Sequence, residues 1–210
     1  MHHLPLGLNQ ACRRILHAIR QRLTIHPPPL LVALDGGSGA GKSTLAALLI
    51  QELDATWVPL DDFFSAHIPE SQWETMSVPQ KLRNVFDWRR VRTQALEPLL
   101  AGRPACWFPF DFAHPRPDGT YPQCVEPKTR DPAPLLLLDG AYSSGPQLAD
   151  RVGLSVLVDV PTAVRHARLA AREDPVFLAR WHARWDAVET RYFTTVRPPA
   201  AFDLIVTPSD

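Results

Sequence analysis

The chain has 210 residues, is 45% hydrophobic and 21% charged, and balances 22 Lys plus Arg against 22 Asp plus Glu. This is the make-up of a globular domain, and a net charge of zero gives no bulk attraction to nucleic acid or to an anionic membrane. No apolar run approaches the about 18 residues of a membrane span, and three cysteines without a C-x-x-C pair (Cys12, Cys106, Cys124) make neither a disulfide framework nor a cysteine metal site.

The opening "MHHLPLGLNQ" lacks a basic region followed by an apolar core, so a secretory leader is not expected and a cytoplasmic protein is. Residues 9–24 place Cys12, Ile15, Leu16, Ile19 and Leu23 at helical spacing, and "HPPP" stops the helix. Five short apolar runs read as strands: 30–35, 56–60, 135–139, 154–160 and 202–206. Helical patterns fall at 42–53, 88–101, 161–172 and 176–196. Alternating strands and helices imply an α/β fold with a five-stranded parallel sheet flanked by helices. Residues 102–134 interrupt the pattern with a long proline-rich and aromatic stretch, which suits a functional insertion.

After the first of these strands, Gly36, Gly41, Lys42 and Ser43 fit G-x-x-x-x-G-K-[ST], with a helix opening directly behind. Glycines let successive amides turn inward onto phosphate oxygens, and the helix N-terminus adds partial positive charge. Gly37, Ser38, Gly39, Ala40, Gly41, Lys42, Ser43 and Thr44 therefore form the expected nucleotide cradle. Lys42 would reach the β- and γ-phosphates of ATP, and Ser43 would offer its hydroxyl to Mg²⁺. The guanine-reading N-K-x-D and the transporter signature LSGGQ are both absent, which leaves a small kinase as the leading reading.

Two carboxylate positions support it. "VPLDDFF" sets Asp61 and Asp62 just past a strand, where ligands of open α/β sheets bind. Asp61, nearer the strand, is the better base for an attacking hydroxyl; helix capping is the alternative use of such a pair. Asp139 closes "LLLLD" as a second metal residue, and Asp159 reads as structural. Pro161 occupies a first-turn position, and Arg165, Arg168 and Arg172 share one helical face. Arg168 and Arg172 are candidates for a catalytic lid over about 161–180, the alternative being a solvated basic face. Asp87, Phe110 and His114 lie in aromatic stretches suited to a small acceptor with a flat or apolar part. Trp181 and Trp185, four apart on a helix, read as core.

The ordered set resembles the uridine kinase-like branch of P-loop kinases, which includes phosphoribulokinase and bacterial pantothenate kinase. "DGGSGAGKST", "LDDFF", "NVFDWRRVRTQALEPLLAG", "PFDFAHPR", "LLLLDGAY", "RHARLAARED" and "FDLIV" carry the resemblance from about residue 30 onward. Phe110 stands where that family usually has a tyrosine, and Asp139 where it has a glutamate. The resemblance implies Asp61 as catalytic base, Asp87, Phe110 and His114 near a nucleoside pocket, and Arg168 and Arg172 in the lid. The expectation is one P-loop kinase domain over 1–210, a monomer or homo-oligomer with no nucleic-acid or membrane partner. It would transfer the γ-phosphoryl of ATP·Mg²⁺ to a small-molecule hydroxyl, first of all a nucleoside. A sugar, pantothenate-like or antibiotic alcohol is the alternative acceptor, and a non-catalytic ATP-binding switch the alternative of another class.

Overall fold

A computed structural model describes residues 6–209. Residues 1–5, on which part of the leader reading falls, and Asp210 lie outside the described residues. In chain order the elements are β1 (Leu6–Gly7), α1 (Leu8–Leu23), β2 (Leu30–Asp35), α2 (Lys42–Glu52), β3 (Ala55–Pro59) and a 3₁₀ turn at Leu60–Phe63. There follow α3 (Glu70–Thr75), α4 (Val78–Asn84), and a helical run in which α5 (Trp88–Arg90) and α6 (Glu97–Leu100) flank a π-type segment at Val91–Leu96. The chain continues through β4 (Ala105–Trp107), β5 (Lys128–Arg130), β6 (Leu135–Asp139), β7 (Leu154–Val158), α7 (Thr162–Ala170) and α8 (Pro175–Arg191). A π-type turn at Tyr192–Val196, a 3₁₀ turn at Pro199–Ala201, β8 (Leu204–Val206) and β9 (Pro208–Ser209) complete it.

The main sheet has the order β3-β6-β2-β7-β8, all parallel. β2, β6 and β7 are buried at every position, as continuous apolar runs require when both faces are covered. Successive side chains alternate between faces. Leu30, Val32 and Leu34 meet Ala11, Ile15 and Ile19 of α1 and Leu45 and Leu49 of α2. Leu31, Leu136 and Leu138 face the other way, onto the 88–100 run and Trp185, Val188 and Tyr192.

The 102–134 stretch is not irregular throughout. β4 and β5 pair as an antiparallel hairpin, with Trp107 opposite Lys128. Asp62 is its anchor: the carboxylate accepts from Trp107 Nε1 at 2.8 Å and from Lys128 Nζ at 2.8 and 3.0 Å. Pro161 precedes α7 as its cap residue and is not inside its first turn. α8 begins one residue earlier than its periodicity suggests, because Asp174 accepts from Val176 and Phe177 amides and Pro175 takes the first helical position. Among the described residues no helix is long and apolar enough to cross a membrane.

Candidate active site

The sheet order sets the crest from which the site is built. Along the carboxyl ends of the strands come the turn after β3, the end of β6, the loop after β2, the start of α7, and Pro208 beyond β8. A cleft of about 950 Å³ opens there, where open α/β sheets hold ligands.

The loop between β2 and α2 turns through left-handed backbone. Gly41 has φ of +89° and caps α2, a conformation that glycine adopts without strain. Ser38, Gly39, Ala40, Gly41, Lys42, Ser43 and Thr44 all line the cleft. Lys42 is buried, and its Nζ donates to the carbonyls of Gly36 at 2.9 Å and Gly37 at 3.1 Å. Gly37 is placed differently: it lines a second cavity behind the loop, and a Cβ there would collide with the guanidinium of Arg165.

Asp61 opens into the cleft and Asp62 does not. Solvent reaches the Asp61 carboxyl through the cleft mouth, yet protein atoms crowd around it. That desolvation, opposed by Lys42 and reinforced by Asp139 and Asp62, pushes its pKa from 3.8 to about 6, with Arg172 pulling the other way; cleft water moderates the shift without reversing it. Asp139 is buried at the end of β6 and also lines the cleft. Burial pushes its carboxyl up, and Lys42, Ser43 and Trp57 pull it down. Ser43 and Trp57 lie close, but among the described residues no donor meets hydrogen-bond geometry at its buried Oδ1. An unpaired buried carboxylate oxygen beside a serine hydroxyl is a donor set that suits Mg²⁺, which takes one or two protein oxygens and keeps several waters.

The three arginines divide their work. Arg168 and Arg172 line the cleft, Arg168 with NH1 toward the Gly39 carbonyl at 3.4 Å and Arg172 bonded to Glu173 at 2.8 Å. Arg165 faces the back of the loop. Its NH1 bonds the Ser38 carbonyl and Glu189 Oε2, both at 2.9 Å. Glu189 accepts in turn from the Ser38 amide at 2.8 Å and hydroxyl at 2.7 Å. α7 and α8 thus grip the loop from behind through one buried ion pair.

The rest of the cleft wall is rich in aromatic rings, with Phe64, Phe86, Phe112, Tyr121, Phe177 and Trp181 set among aliphatic neighbours such as Leu8, Val85, Leu169 and Leu178. The structure does not bring Asp87 or His114 there. Asp87 caps the 88–100 run by accepting from the Arg90 amide at 3.1 Å. His114 is exposed and paired with Asp111 at 2.8 Å. Phe110 is buried one layer behind, packed 4.5 Å from Phe112 and 4.9 Å from Tyr121 between ring centroids.

No protein-family model matches the chain. It is similar to the uridine kinase of Halobacterium salinarum, at 25% identity over 174 residues that cover 81% of this chain and 72% of that protein. A possible uridine kinase from Bacillus stearothermophilus superposes with a TM-score of 0.68 at 16% identity, covering 95% of this chain and 98% of that one. A putative fructose transport system kinase from Silicibacter sp. TM1040 superposes with a TM-score of 0.65 at 25% identity and the same coverage. The chain is similar in sequence to uridine kinases and shares the fold of uridine kinase-like P-loop kinases. It is a phosphotransferase with a hydroxyl acceptor.

Sequence reasoning missed several groups that shape this kinase's site. Asp35 is fully buried and accepts from the Gly36, Tyr142 and Ser144 amides and from the Tyr192 hydroxyl, all at 2.7–2.9 Å. Burial pushes its carboxyl up, and those donors pull it down. One carboxylate thereby ties the start of the phosphate loop to the segment after β6 and to the end of the α8 run. It also holds Tyr142, which lines the cleft in left-handed backbone at φ +69°, a conformation that costs about 1–3 kcal/mol outside glycine. "LLVALDGG" showed the acid, but only the fold shows its four donors. Phe64 was visible in "LDDFF" beside the proposed base. Trp185 is buried in the core as read and also lines the cleft, as does the half-buried Trp181.

Proposed function

We propose that this kinase transfers the γ-phosphoryl group of ATP·Mg²⁺ to a hydroxyl of a small molecule bearing a flat ring, a nucleoside of the uridine or cytidine kind first. One observation carries the reading: Asp61 and the phosphate loop open into one cleft whose wall is rich in aromatic rings.

Phosphoryl transfer needs positioning and charge compensation more than covalent chemistry. Amides of the loop and Lys42 hold the donor phosphates, once Lys42 exchanges its carbonyl contacts for phosphate oxygens. Ser43 and Asp139 would hold Mg²⁺, and the ion would supply charge neutralisation for the donor phosphates. Asp61 orients the acceptor hydroxyl and takes its proton, and a carboxyl lifted to about 6 is well matched to that work. Arg168 and Arg172, carried on and just past α7, cover the migrating charge. The aromatic rings take the acceptor's flat face.

A second reading, a sugar or another non-nucleoside alcohol, is favoured by two observations. The Asp87 side chain caps a helix and does not line the cleft, and the superposing Silicibacter protein is described as a putative fructose transport system kinase. An ATP-consumption screen across nucleosides, hexoses and pantothenate-type alcohols separates them. Turnover above background with a nucleoside supports the first reading. Turnover confined to sugars moves the acceptor to the second. ATP binding without turnover on any alcohol contradicts both.

A further inference from the structure

Outside the cleft, α7 and α8 bring together three side chains that the phosphoryl-transfer reading does not use. We propose that His166 of α7 and His182 and Asp186 of α8 form a Zn²⁺ site that staples the two helices together.

One ligand atom from each residue lies within 4.8 Å of the other two. His182 Nδ1 is 3.0 Å from Asp186 Oδ1, and His166 Nε2 is 3.7 Å from Asp186 Oδ2. Zinc bonds of about 2.0–2.1 Å place tetrahedral ligand atoms about 3.3 Å apart. The two measured separations straddle that edge, and ring rotation closes the remaining gap.

Hydrogen bonding explains only half of the arrangement. His182 and Asp186 are four apart on one helical face and bond directly. His166 comes from the neighbouring helix, and its nitrogen lies beyond hydrogen-bond range of the same carboxylate. Even so, the two imidazole rings are only 4.0 Å apart between centroids. A cation shared by both nitrogens and the carboxylate accounts for all three positions.

The donor set and the access both suit zinc. Two borderline imidazole nitrogens beside one carboxylate favour zinc over Mg²⁺ or Ca²⁺, which prefer all-oxygen sets. The side chains are 34%, 25% and 44% exposed for His166, His182 and Asp186, so an ion can enter and a water can complete the coordination. His166 and Asp186 border a cavity of about 500 Å³ whose wall also holds Arg165 and Glu189. Those two neutralise each other, so the arginine does not repel an entering cation. α7 carries His166 toward this cavity and Arg168 toward the nucleotide cleft. Zinc here would fix α7 against α8 and steady the grip of Arg165 and Glu189 on the phosphate loop.

The test uses the full chain stripped of metal with a chelator. Zn²⁺ is titrated by calorimetry, Co²⁺ is followed by its visible absorption, and melting is measured with and without Zn²⁺. The expected result is one ion per chain, intense four-coordinate Co²⁺ bands and a zinc-dependent rise in Tm. His166→Asn and Asp186→Asn should each weaken binding by at least about 100-fold and abolish the rise, while leaving metal-free Tm and ATP affinity in place. Asp186→Asn keeps the side-chain size should a histidine variant fold poorly. Cys106→Ser, and a variant with His2 and His3 changed to Ala, should bind as the parent does. Unchanged zinc affinity in both cluster variants, loss of binding in either control, or only weak six-coordinate Co²⁺ bands would overturn the proposal.

Discussion

Replacing Glu189 with alanine tests how the phosphate loop is held. The Glu189 and Arg165 side chains are 7% and 11% exposed and 2.9 Å apart, so solvent screens the pair little. Removing the carboxylate leaves Arg165, among the described residues, with the Ser38 and Val160 carbonyls and the Thr162 hydroxyl. It also strands the Ser38 amide. Breaking a buried pair from one side costs about 3–5 kcal/mol, and the half-buried Ser38 amide, which cleft water can reach, adds at most about 1 kcal/mol. The two overlap, which puts the loss of folding stability near about 4 kcal/mol. Urea unfolding measures it. Replacing both residues together, Arg165→Met with Glu189→Leu, should recover most of the loss, since no buried charge then remains alone. Because the same carboxylate fixes Ser38, kcat/KM for ATP in Glu189→Ala should fall by up to about 100-fold through misplacement of the loop. A Glu189→Ala protein within about 1 kcal/mol of the parent, with unchanged ATP kinetics, would refute the reasoning and make the pair an ordinary surface contact.

Asp62→Ala should cost about 1–3 kcal/mol, mainly by leaving the buried Trp107 indole without an acceptor; the half-exposed Lys128 contributes less. Chemical denaturation measures that loss, and the freed hairpin should raise KM for the acceptor more than KM for ATP. Trp181→Ala removes one face of the aromatic wall, and at about 1 kcal/mol of ring contact should raise acceptor KM roughly fivefold, with ATP KM unmoved in the same steady-state assay. Asp61 must be ionised to accept a proton, and its carboxyl is raised to about 6. Activity is therefore present above that pH and lost as pH falls through it, so a kcat/KM profile should show an acid limb near 6. A limb near the ordinary carboxylate value of 3.8 would contradict the crowded setting of Asp61.

The sheet was legible because its strands are short unbroken apolar runs between glycine, proline and acidic punctuation, and a strand buried on both faces leaves that mark. The phosphate loop was legible because its glycines and lysine are dictated by local backbone geometry. The acceptor side was not. Asp87 and His114 looked chemical in sequence, but one satisfies a helix N-terminus and the other a neighbouring aspartate, uses that depend on a few local contacts. Phe64, Trp181 and Glu189 owe their positions to contacts between elements far apart in the chain, such as Ser38 with Glu189, 151 residues apart. Arg165 and Arg168 share a helical face by spacing, yet packing sends one behind the loop and the other into the cleft. Periodicity carries no information about that division.

The most direct test of the central claim is single-turnover phosphoryl transfer by Asp61→Asn, with ATP binding measured on the same preparation. With the best acceptor from the screen, transfer should slow by at least about 100-fold while ATP affinity stays near that of the parent, because the amide keeps the shape of the carboxylate but cannot take the proton. Transfer at the parental rate would show that Asp61 is not the base and that the cleft works by another arrangement.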